Sequence, residues 1–126
     1  MAYHVSKAQF AKLVERALSE LPASFAEHLE EISIEIRDRP SRRQLLDLGL
    51  KDDELLLGLY HGRPRTERSV LDGPAMPDVI YIFQEDVELV SDSERQLVDE
   101  VRTTVLHEIG HHFGMDEDEL DELGYG

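Results

Sequence analysis

His107 and His111 stand four residues apart, with Glu108 directly after the first, and no other feature constrains this chain as tightly. Only an α-helix turns a spacing of four into neighbours on one face, one turn apart. The sequence upstream supplies such a helix, because Leu97, Val98, Val101, Val105 and Leu106 mark one apolar side. The pattern predicts a helix from Ser91 or Ser93 to about Phe113, with Gly114 as a left-handed C′ residue. Ile109 and His112 then point away from the face that carries the two imidazoles.

The rest of the chain supplies elements for that helix to pack on. Ser6 can cap a helix whose apolar positions are Phe10, Leu13, Val14, Ala17, Leu18 and Leu21, and Pro22 interrupts it. Residues 23–31, carrying His28, read as a short helical or loop segment. Ile32, Ile34 and Ile36 alternate with Ser33, Glu35 and Arg37, the period of a half-buried strand. Residues 41–48 read as a short helix closed near Gly49. Residues 55–60, an apolar run containing Gly58, read as a second strand. Residues 61–77 hold two glycines and three prolines with little periodicity, which predicts a loop, either a functional excursion or disordered. Residues 78–83 form a third strand, apolar on both faces and so expected at the centre of a sheet. Strands and helices in this order predict one α+β domain over residues 1–126.

Composition removes several function classes. The 13 Lys and Arg against 28 Asp and Glu give a formal charge of −15, which repels phosphate and argues against nucleic acid and anionic membranes as partners. The chain has no Cys, so disulfides, thiolate metal sites and Cys nucleophiles are excluded. No apolar run resembles a signal peptide or a bilayer span, so the expected location is the cytoplasm.

The helical face gives the chemistry. Two imidazoles one turn apart can converge on a single ion at about 2.0–2.1 Å, leaving a coordination position open. Glu108 projects beside them, where it can take a proton from water on that ion rather than bind the ion itself. A catalytic zinc site takes three protein ligands plus water. Gly114, three residues after His111, allows a sharp turn, and Glu117, three further on, could then reach back as the third ligand. Asp116 and Asp118 are near enough to compete for that place.

The run His107-Glu108-x-x-His111-x-x-Gly114-x-x-Glu117, in so short a chain, resembles the minimal zincin-like metallopeptidases of bacteria. Residues 56–62 and 79–83 look like two of that family's core strands, so the resemblance spans about residues 32–120. The family's third ligand is typically Asp, where the spacing here gives Glu117. The downstream Met-turn of metzincins is missing, since Met1, Met76 and Met115 all precede Glu117.

The resemblance implies a small mixed sheet of three or four strands packed on helices, with the His107–His111 helix near the C-terminus. It also implies a Zn²⁺-dependent peptidase. His107, His111 and Glu117 would be the ligands, and Glu108 the general base that works with zinc-activated water. Its partner would be a peptide or protein substrate, aligned by the edge strand at residues 55–60. The alternative is a catalytically idle metal-binding module serving interaction or regulation, although such a module has no use for Glu108. A purely structural zinc would close all four positions with protein ligands, His112 among them. Tyr60 and Tyr81 are expected to pack half-buried rather than donate to an oxyanion, and His61 is expected at the surface.

Overall fold

Apolar stripes on two helices organise the molecule. Phe10, Leu13, Val14 and Ala17 are buried on α1 (Lys7–Ser19), whose N-terminus is capped by the Ser6 hydroxyl accepting from the Gln9 N–H at 3.1 Å. Leu97, Val98, Val101, Val105, Leu106 and Ile109 are buried on α5 (Glu94–His112) and join the same core. Each such side chain contributes roughly 1.5–3 kcal/mol when taken from water, so this pairing is a main source of stability. Between them in the chain lie α2 (Ala23–Ala26), a 3₁₀ turn (Glu27–Glu31), β1 (Ile32–Arg37), α3 (Arg42–Asp47), β2 (Gly58–His61), β3 (Asp78–Phe83) and α4 (Gln84–Leu89). The computed structural model describes residues 1–62 and 78–112.

The three strands form one mixed sheet in the order β1-β3-β2, with β1 parallel and β2 antiparallel to β3. The architecture is thus α+β, as the sequence predicts, and the strand that is apolar on both faces is the central one. The register lines up Ile34, Ile80 and Tyr60 in one row, and Ile36, Ile82 and Gly58 in another. The isoleucines of these rows and Tyr60 belong to the core with α1 and α5, while Leu59 and Tyr81 turn to the other face. The short helix α3 has the full capping box of Ser41 and Gln44, and Gly49 (φ 73°) closes it. There the Leu50 N–H donates to the Leu45 carbonyl and the Gly49 N–H to that of Leu46.

Two elements differ from the sequence reading. The second strand covers Gly58–His61 instead of residues 55–60. Its ladder fades because β3 passes straight into α4: the Phe83 N–H still donates to the Leu57 carbonyl at 3.0 Å, but the Leu56 N–H already turns to Asp86 Oδ2 at 2.9 Å. Helix α4 itself has no counterpart in the sequence reading. It buries Gln84, Asp86 and Glu88 beside Val87 and leaves Leu89 54% exposed, so its buried face is mostly polar. Glu88 accepts from the Val5 N–H at 2.9 Å and the Gln84 amide at 3.2 Å, and pairs with His4 at 3.2 Å, while the buried Gln84 Oε1 and Asp86 Oδ1 accept no hydrogen bond among the described residues. Among the described residues no helix is long and apolar enough to cross a membrane.

Candidate metal centre

Helix α5 approaches β2 closely because of one glycine. A Cβ at Gly58 would lie 2.5 Å from Thr104 Cγ2 and 2.9 Å from the Tyr81 carbonyl oxygen. Thr104 sits one turn before Glu108, so the missing side chain at Gly58 sets how near the histidine turn comes to the sheet. The core grips the opposite side of the same turn, where Leu106 and Ile109 are fully buried. The site is therefore fixed from both sides of the helix.

On this turn His107 is half-buried and His111 exposed. Their rings are nearly parallel (21°) with centroids 6.1 Å apart. Two imidazoles on one helical face supply nitrogen donors of the kind a borderline-soft cation takes. Glu108 is half-buried, and its Oε2 accepts from the Tyr60 N–H at 3.3 Å. Burial pushes the Glu108 carboxyl up, and the Tyr60 N–H and the two imidazoles offset part of that, so it ends above the ordinary glutamate range. A carboxylate raised in this way is a better proton acceptor, the property a general base needs.

A second cluster backs this one. Tyr60 stacks on His112, the last residue of α5, with centroids 4.0 Å apart and 17° between planes. The Tyr60 hydroxyl donates to Asp78 Oδ2 at 2.7 Å, and His112 Nε2 lies 3.9 Å from the same oxygen. Asp78, the first residue of β3, is only 3% exposed. Tyr60 is thus a packed, hydrogen-bonded wall of the site, with its phenol aimed at Asp78.

The family model for the zincin-like metallopeptidases matches residues 29–126. The chain belongs to the zincin-like metallopeptidase family. A conserved hypothetical protein from Thermus thermophilus has a similar solved structure, with a TM-score of 0.56 and 25% identity over 94% of this chain and 97% of that one. No curated protein matches the chain.

In this zincin-like chain, the fold brings His107, Glu108 and His111 to one face of α5, beside β2. Among the described residues no group of three His, Asp or Glu is arranged to hold a metal ion. Gly114 and Glu117, with Asp116 and Asp118, lie outside the described residues, as do residues 63–77 of the loop predicted over 61–77, whose first residue, His61, ends β2. His61 is exposed, and with Leu59, Tyr81, Arg43, Asp47 and Leu48 it lines a concavity of about 430 Å³. None of His107, Glu108 and His111 lines that concavity. The sequence reading assigned Asp78 no role. The signal available was a charged residue opening an otherwise apolar central strand, which demands a buried partner.

Proposed function

We propose that this chain is a zinc-dependent peptidase in which His107, His111 and a carboxylate, Glu117 by its spacing after Gly114, hold the ion. When bound, the ion would supply Lewis-acid polarisation of the scissile carbonyl and a water acidified toward a pKa of about 7. Glu108 takes a proton from the attacking water at its carboxylate and passes it to the leaving amine nitrogen as the C–N bond breaks. One Glu108 oxygen is already engaged by the Tyr60 N–H, so the other is the one that moves the proton. The substrate is a peptide or protein segment added beside β2, which among the described residues is an edge strand in the order β1-β3-β2.

The observation that carries this reading is Glu108 itself, desolvated and held between the histidine turn and the edge strand. Glu108→Gln keeps size and shape but cannot take a proton. Zinc affinity should stay within a factor of two or so, while hydrolysis of a peptide library falls by about 10²–10⁴. A zinc-loaded wild type that cleaves nothing, or a Glu108→Gln chain as fast as wild type, would refute the peptidase and leave an idle metal-binding module.

A further inference from the structure

The buried carboxylate of Asp78 has no part in the chemistry above, yet it is wired to it. The Leu57 carbonyl accepts from the Phe83 N–H, so position 57 of the segment faces β3 and the alternate positions, 58 and 60, present their backbone outward. The outward N–H of Tyr60 meets Glu108 Oε2 at 3.3 Å. Tyr60 pairs with Ile80, so Asp78 lies diagonally across on the same face of the sheet, within reach of a long aromatic side chain. The phenol bridges that diagonal at 2.7 Å, and the ring is held flat against His112 at 4.0 Å.

We propose that Asp78 is a positioning residue for Glu108, acting through Tyr60. Its carboxylate holds the Tyr60 phenol, and the main chain so fixed delivers the Tyr60 N–H to the Glu108 carboxylate. Resting on the reading of Glu108 as general base, this assigns β3 a share in aiming the base. The 2.7 Å hydrogen bond ends on a carboxyl group only 3% exposed, where water competes little for it, so the phenol is a firm anchor. The hydrogen bonds of this arrangement run from Asp78 through Tyr60 to Glu108. The arrangement therefore acts on the proton acceptor and not on metal affinity, and its loss should appear in kcat and not in KM.

The test has one readout that needs neither metal nor activity. Amide exchange at position 60 of the metal-free chain, followed by NMR, should be slow in wild type. It should be about three- to tenfold faster in Glu108→Ala, Tyr60→Phe and Asp78→Ala, and near wild type in Asp78→Asn, which keeps an acceptor oxygen. In the zinc-loaded chain, Tyr60→Phe and Asp78→Ala should lower kcat about tenfold with KM and zinc affinity unchanged. Tyr60→Phe retains the stacked ring, so a role in packing alone predicts no change in either readout. Wild-type exchange as fast as that of Glu108→Ala overturns the proposal, and so does a Tyr60→Phe chain equal to wild type throughout. A wild type without peptidase activity refutes the peptidase reading, and the exchange rates then decide the positioning role by themselves.

Discussion

Replacing Gly58 by alanine tests whether the close approach of α5 to β2 builds the site. The new methyl would stand 2.5 Å from Thr104 Cγ2 and 2.9 Å from the Tyr81 carbonyl oxygen. Ordinary contact needs about 3.5–4.0 Å, so something must give by about an ångström. The carbonyl belongs to the central strand, while Thr104 belongs to a helix that can slide only by disturbing fully buried Val101 and Val105. Overpacking of this kind costs about 1–3 kcal/mol, and alanine returns about 0.5–1 kcal/mol through its smaller backbone entropy. The net expectation is a loss of roughly 1–2 kcal/mol, or about 4–8 °C in Tm for a chain of this length. The displaced turn also carries Glu108, so the Tyr60 N–H bond should lengthen beyond its 3.3 Å. Calorimetry on Gly58→Ala, Thr104→Ala and the double variant separates the causes. Because Thr104→Ala removes the nearer clashing atom, the double variant should recover about half of the loss. A Gly58→Ala chain as stable as wild type, or a double variant no better than the sum of the singles, would refute the argument.

Three further outcomes follow from the same structure. His107→Ala or His111→Ala should abolish high-affinity zinc binding while the fold survives, since alanine is the better helix former; unchanged affinity by calorimetry in both variants sinks the metal site. Burial pushes Glu88 up, but the Val5 N–H, the Gln84 amide and His4 together bring it below its ordinary 4.5. Its ionised form therefore stabilises the fold above that value, and the contribution is lost as pH falls through the folded-state value. Urea unfolding should accordingly show Glu88→Gln less stable than wild type at neutral pH, with the gap closing as pH falls below the ordinary glutamate range; a constant gap contradicts the assignment. Ser41→Ala removes half of the capping box on α3 and should cost about 1 kcal/mol by the same measurement, with no effect on zinc affinity.

The parts legible in the sequence share a physical property: their information is local. The isoleucine alternation of β1, the apolar run of β3 and the stripe of α5 each state their own burial pattern, and the fold honours them. His107, Glu108 and His111 were legible for the same reason, since helical geometry alone places them together. Helix α4 was not, because its buried face carries Gln84, Asp86 and Glu88. Polar residues go inside there only because distant groups, the Val5 N–H and the Leu56 N–H, come to meet them. No window of periodicity contains that fact.

The same distinction divides the candidate site. Helix α5 contributes side chains within one and a half turns, and the sheet contributes one backbone N–H and a strut. The strut joins residues 18 apart in sequence, Tyr60 and Asp78, across two strands whose register alone makes them neighbours. A short chain gains from this division. The candidate groups His107, Glu108 and His111 lie within five consecutive residues on an element already needed for the core, and the sheet supplies a backbone N–H to one of them. Variation in the helix motif should therefore act on metal binding and proton transfer directly. Variation at Gly58, Tyr60 or Asp78 should act on the aim of Glu108, leaving the ion in place while the reaction slows.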